Sequence, residues 1–339
     1  MARGGLTRVL GFDVRKLTTY LSFVRFSHSV FALPFALTGA LLAWRDHPFS
    51  WLQVAWIIVC MVSARSAAMG FNRLVDAPHD ALNPRTSMRE LPRGAMSRTE
   101  AAIFVIVSSA AFVYGTSRLN PICFMLSPVA LAIVFWYSLA KRYTAYTQLF
   151  LGLAMAVAPV GGWIAAGGRG GMEPWLLGLA IGLWVGGFDI LYACQDLDFD
   201  LGHGLRSIPT RFGVSRSILL SRLMHVAAVA AMAALWRVAH LPAFYLLGVG
   251  IVAVLLTYEQ SLVSDDDLSQ VKKAFDQRRT AVGEADDVRQ LIIRAYDHLL
   301  TAETSCNFYW GSRWVHRSFD DLEQAYHLLD TAMEKLQKT

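Results

Sequence analysis

Apolar runs of about twenty residues recur from Leu21 to Leu262, each long enough to cross a bilayer core about 30 Å thick. Hydrocarbon offers no water to unpaired backbone groups, and the runs lack the alternation of membrane strands, so helices are the form open to them. The length criterion gives roughly eight spans, centred near Phe31, Met61, Ile106, Ala130, Val157, Gly182, Val229 and Val252. The 339 residues are 55% hydrophobic and 17% charged with mean hydropathy +0.39, which excludes an ordinary soluble domain and names the lipid bilayer as the first partner. Nothing in the chain calls for a nucleic acid.

The net charge of +5 is informative by position. Arg3, Arg8, Arg15 and Lys16 precede the first span, Arg85, Arg89, Arg93 and Arg98 follow the second, Lys141 and Arg142 the fourth, and Arg206 and Arg211 the sixth. The alternate loops offer mainly Arg45, Arg118, Arg169 and Arg237. The positive-inside rule then puts both ends in the cytoplasm and the protein in the inner (cytoplasmic) membrane. The first apolar run is long, is interrupted by Arg25 and His28 and lacks a cleavage site, so it reads as a retained helix. Cys60, Cys123, Cys194 and Cys306 have no paired spacing and suggest neither zinc nor disulfides.

From about Ser264 the character changes, with Asp265, Asp266, Asp267, Lys272, Lys273, Arg278 and Arg279 in close succession and no later run long enough to span. Helical periodicity over 286–304 and 319–336 predicts an antiparallel helical pair. The aromatic cluster Phe308, Tyr309, Trp310 and Trp314 would form its core or meet the membrane domain. The expected organisation is an all-α transmembrane bundle over residues 1–262 and a soluble helical appendix over 263–339.

Ionisable groups beside spanning helices are costly and mark sites. Two clusters stand at helix ends on the positive side. In the first, Arg65, Asn72 and Asp76 fall within about 60° of one helix face. Pro78 is expected to end or kink that helix, so that Asp80 reaches the same place from a loop. Were the second cluster continuously helical, Asp189, Asp196 and Asp200 would lie within about 40° of each other, with Asp198 turned away. A calcium loop is excluded there, because Leu201 stands where glycine is needed and Ser207 where the bidentate Glu is needed. Paired carboxylate clusters suit a diphosphate: oxygen ligands hold Mg²⁺, and the metal bridges to phosphate oxygens. Arg85, Arg89, Lys141, Arg142 and Arg206 are candidate diphosphate contacts and equally candidate topology markers.

These residues resemble the UbiA superfamily of membrane prenyltransferases, and within it the 4-hydroxybenzoate polyprenyltransferase group. Asn72, Asp76 and Asp80 match the first signature, Asn-x-x-x-Asp-x-x-x-Asp, and Asp196 and Asp200 after Tyr192-Ala193 match the second. Further similarity lies in Arg25-Phe-Ser-His28, Phe31-Ala-Leu-Pro34, Lys141-Arg142-Tyr143-Thr144 and Gly204 to Gly213, over roughly residues 16–275. It breaks off where the family's ninth span would begin. The Phe-Ala-Leu-Pro and Tyr-Ala-Cys-Gln-Asp runs are also similar to the branch serving menaquinone synthesis through futalosine.

The resemblance implies Mg²⁺ on Asp76, Asp80, Asp196 and Asp200, a polyprenyl diphosphate donor and an aromatic acid acceptor, 4-hydroxybenzoate or a dihydroxynaphthoate. Asn72 and the basic residues would bind the diphosphate, and Asp189 is the candidate base for the ring proton. A guanidinium pairs a carboxylate bidentately, which makes Arg65 and then Arg25 candidates for the acceptor, with structural ion pairing as the other reading. His28 reads as a core residue. A phosphotransferase acting on nucleotide-activated alcohols lacks its compact Asp-x-x-Asp-Gly signature here. A transporter would place its charges near the midplane rather than at one face.

Overall fold

The computed structural model describes residues 8–9, 12–24, 26–82, 86–261 and 263. The chain divides into two compact units, Met1–Ala193 with Leu197–Tyr258, and Cys194–Asp196 with Glu259–Thr339. Of the second unit only the end of one helix with the turn after it, and the end of another, are described. The proposed appendix, its aromatic cluster and Cys306 therefore lie outside the described residues, Val263 excepted.

A short antiparallel ladder pairs β1 (Arg8–Val9) with β2 (Phe12–Asp13), and everything regular among the other described residues is helical. The helices are α1 (Val14–Phe23), α2 (Phe26–Ala43), α3 (Trp51–Leu82), α4 (Arg98–Leu119), α5 (Pro121–Tyr143), α6 (Thr147–Ala165), α7 (Glu173–Gln195), α8 (Leu197–Gly202), α9 (Ile208–Phe212), α10 (Val214–Val238) and α11 (Phe244–Ser261). Among the described residues seven of them, α3 to α7, α10 and α11, are long and apolar enough to cross a membrane. α2, with the shorter apolar stretch Ala32–Ala43, stands where the first of the roughly eight expected spans was placed. Their apolar outer faces, with Ile106, Leu223 and Val254 largely exposed, are the surface a bilayer would cover.

Small residues set the helix spacing, as they do where lipid supplies no hydrophobic drive between helices. Ala32, Ala36, Ala40 and Ala43 form a buried stripe on α2 against α6. A Cβ added at Gly39 would overlap the Pro159 carbonyl, and one at Gly162 the Ala36 carbonyl, so the two backbones touch. Gly152 of α6 meets Gly182 of α7 in the same way. α7 is fixed to α10 by Ser221 Oγ donating to the Gly187 carbonyl at 2.7 Å. Helix starts are capped as their sequences allow. Ser97 and Glu100 close a capping box on α4, and Asn120 accepts from the Cys123 N–H at 2.9 Å to open α5 ahead of Pro121.

α3 is the element that positions the acids. Its 32 residues rise about 48 Å, well beyond a hydrocarbon core of about 30 Å, so the last turns emerge from lipid. Pro78 does not end it: the helix runs through to Leu82 and carries Asp80 on its own last turn rather than on a loop. Proline cannot donate to the carbonyl four residues back, and tolerance of it here is local. The neighbouring Val75 carbonyl accepts from Arg142 Nη2 at 2.7 Å.

Candidate active site at the charged end of α3 and α5

Asn72, Asp76 and Asp80 succeed one another at intervals of four on α3, so their side chains descend one helix face. Asp76 is buried at 3% exposure and Asp80 at 6%. Charges so placed need partners, and α5 supplies them from a point 65 residues further along. Lys141 Nζ donates to Asp76 Oδ2 at 2.9 Å, and Arg142 Nη2 stands 3.6 Å from Oδ1. Asn72 Nδ2 donates to the same Oδ2 at 3.2 Å. A carboxylate only accepts, so the amide must offer its NH₂ there, which turns the Asn72 oxygen the other way. Asp76 Oδ1 is enclosed with no hydrogen bond.

Asp80 is gripped from the segment after α3, where Arg89 Nη1 donates to both carboxylate oxygens at 2.8 Å. Thr86 Oγ1 donates to the Asp80 carbonyl at 3.1 Å. Behind this pair lies a second. Arg73 Nη1 and Glu90 Oε2 face each other at 3.9 Å with both residues 5% exposed, and Ser22 Oγ of α1 donates to Glu90 Oε1 at 2.5 Å. Leu91 and Met96 close the segment over Phe23, Met69 and Phe104. Adjacent residues thus point in opposite directions, Arg89 to the acid and Glu90 to the core.

Tyr137 was not singled out from sequence. It sits half-buried one helical turn before Lys141 on α5, within electrostatic reach of Asp189, Asp76, Arg65 and Arg89. Spacing of four from a candidate lysine was the available signal. Arg65 and Asp189, on α3 and α7, are thereby brought to the same region.

The second acidic cluster departs from the continuous helix assumed for it. α7 ends at Gln195, Asp196 is a turn, and α8 starts afresh at Leu197, so Asp189, Asp196 and Asp200 do not share one helix face. α8 carries Asp198 and Asp200, and the Asp200 carbonyl accepts from the Leu205 N–H at 2.9 Å. Asp196 belongs to the second compact unit. Arg206 is exposed and its Nη1 donates to the Tyr143 carbonyl at 2.9 Å, while its backbone N–H donates to the Lys141 carbonyl at 2.9 Å. Arg25 and Arg85 lie outside the described residues, as does the side chain of His28.

Among the described residues no three of His, Cys, Asp and Glu form a metal cage. The donors present nevertheless fit Mg²⁺, which binds through one or two carboxylates and completes its shell with water and phosphate oxygen. The enclosed Asp76 Oδ1, the outward Asn72 oxygen and Asp80 are hard oxygen donors of that kind.

A model of the UbiA prenyltransferase family matches residues 32–282. The 4-hydroxybenzoate octaprenyltransferase of Vibrio parahaemolyticus is 30% identical over 227 residues, 67% of this chain and 79% of that protein. The 4-hydroxybenzoate octaprenyltransferase of Alkalilimnicola ehrlichii is 31% identical over 240 residues, 70% of this chain and 81% of that one. Among solved structures, the apo form of a UbiA homolog from Aeropyrum pernix K1 superposes with a TM-score of 0.67 at 35% identity, over 74% of this chain and 92% of that one. A UbiA homolog from Archaeoglobus fulgidus bound to DMAPP and Mg²⁺ shares the fold, with a TM-score of 0.63 at 18% identity over 92% and 99% of the two chains.

Proposed function

Because the chain belongs to the UbiA prenyltransferase family and is an integral membrane prenyltransferase, we propose that it transfers a polyprenyl chain from its diphosphate to an aromatic acid of quinone biosynthesis, 4-hydroxybenzoate or a dihydroxynaphthoate. The observation that carries this reading is the convergence of Asn72, Asp76, Lys141 and Arg142, with Asp80 and Arg89 beside them, at one end of α3 and α5. The names of the relatives support 4-hydroxybenzoate as acceptor.

In this reading Asn72, Asp76 and Asp80 would hold Mg²⁺, together with Asp196 and Asp200 on the strength of the second signature. The metal, when bound, neutralises charge on the departing diphosphate. Lys141, Arg142 and Arg89 are ion-paired to the acids, and they turn to the diphosphate oxygens as the acids take up their ligand. Arg85 and Arg206 would extend the clamp. The allylic C–O bond breaks, a bond forms from the allyl carbon to the ring, and the ring proton leaves to a carboxylate, with Asp189 in that role, or to the diphosphate. Arg65, with Arg25 as its companion, holds the acceptor carboxylate, and fixing an electron-rich ring against the allyl carbon supplies several kcal/mol, on the order expected of positioning. The basic residues at this end support a site on the cytoplasmic side of the inner membrane.

The test is to incubate purified protein with radiolabelled geranyl diphosphate, Mg²⁺ and a panel of phenolic and naphthoic acids. Label moves to one acid class and EDTA abolishes the transfer. Transfer to none of them, or transfer indifferent to EDTA, would overturn the reading.

A further inference from the structure

The acidic face of α3 holds one more polar side chain. Arg65, Asn72 and His79 repeat every seven residues and so stay within about 40° of one line, with Asp76 beside them. His79 is half-buried, and its Nδ1 is enclosed without a hydrogen-bond partner. Water does not reach that nitrogen, so a structural role would leave a polar atom unsatisfied, a condition native proteins rarely accept without a use for it. The charged and titratable groups acting on the ring are Lys141 and Arg142 from α5, Asp76 from the preceding turn, and His203 from the loop after α8. His203 is no partner through its own Nδ1, which lies 2.9 Å from the Phe199 carbonyl while the ring stacks on Phe199. A ring N–H within electrostatic reach of an ammonium and a guanidinium is complementary to an anion, because an imidazole N–H donates as those two cations do.

We propose that His79 is a binding residue for the diphosphate group, its Nδ1–H uncovered as Lys141 and Arg142 turn from Asp76 to the ligand and donating to a non-bridging oxygen alongside them. This rests on the function proposed above and adds to it a contact made by a position between the two acids of the first signature.

The variants His79→Ala, His79→Asn and His79→Gln test it, read by KM for geranyl diphosphate, KM for the acceptor, Ki for inorganic diphosphate and Tm. Loss of a hydrogen bond to a charged group raises KM for geranyl diphosphate and Ki for inorganic diphosphate by roughly tenfold or more in His79→Ala. The acceptor KM stays put, and Tm holds or rises, since alanine is the better helix former. Asparagine carries an amide nitrogen where Nδ1 lies and restores both constants to within about threefold, whereas glutamine reaches past that point and does not. Unchanged constants in His79→Ala, an equal rise in the acceptor KM, or a fallen Tm that asparagine fails to rescue overturns the proposal. Calorimetric binding of inorganic diphosphate to wild type and His79→Ala needs no turnover. A protein that transfers nothing yet loses that binding in the variant separates failure of the function from failure of the His79 role.

Discussion

Asp76 joins α3 to α5 at the site, accepting from Lys141 and Asn72 with Arg142 close by. Asp76→Asn keeps the shape and removes one charge, and kcat falls by about a hundredfold or more, equivalent to about 2.7 kcal/mol on the barrier. Lys141 keeps 28% of its side chain in solvent and can rehydrate, so Tm moves little. Asp198→Asn, measured alongside, leaves kcat near wild type. Arg65→Ala raises KM for the acceptor much more than KM for the prenyl diphosphate, and an equal rise in both would reassign Arg65 to the diphosphate. The acids were legible because charge is scarce in an apolar chain and helical spacing puts Asn72, Asp76 and Asp80 on one face. Their partners were legible only as types. That Lys141 meets Asp76 and Arg89 meets Asp80 depends on how α3, α5 and the intervening segment pack, and no local pattern records it. Tyr137 was hidden for a different reason, since a tyrosine inside an apolar span looks like lining until the charges around it are seen.

At the scale of elements, the departures come from judging a helix by one residue. Pro78 is a helix breaker by its chemistry, yet α3 continues to Leu82 with Arg142 bonded to the adjacent turn. The run from Asp189 to Asp200 has helical spacing, yet the chain turns at Asp196. Periodicity gives the face each residue would occupy only while the helix lasts. The segment after α3 makes the same point from the side of energetics. Glu90→Leu takes from the buried Arg73 guanidinium the carboxylate that faces it at 3.9 Å and lowers stability, visible as a drop in Tm in detergent. The double variant Arg73→Leu with Glu90→Leu recovers most of that loss, because an apolar pair packs where the ion pair stood. Arg89 sits next to Glu90, so the single variant also raises KM for the prenyl diphosphate. A drop in Tm no larger than that of an exposed Glu→Leu change would show the pair to be idle.

At the scale of the whole molecule, the class of fold was readable because bilayer thickness fixes how long an apolar helix must be, and seven of the roughly eight expected spans are long and apolar enough among the described residues. The depth of packing was not. The contact of Gly39 with Pro159 and of Gly152 with Gly182 follows from which helices become neighbours, and glycine alone does not say which. The boundary near residue 262 remains a proposal with its own test: a chain truncated after Leu262 inserts and stays folded in detergent, as judged by gel filtration. Failure to insert would make the C-terminal segment part of the bundle. The pairing of acids and bases described above also has an electrical consequence. Asp76 and Asp80 face Lys141, Arg142 and Arg89, two negative charges against three positive, and each basic side chain keeps between 25% and 32% of its surface in solvent. Partly exposed charges are screened by salt, and so is their pull on an anionic donor. KM for geranyl diphosphate therefore rises with ionic strength, and a KM indifferent to salt would show that these cations do not draw the donor in.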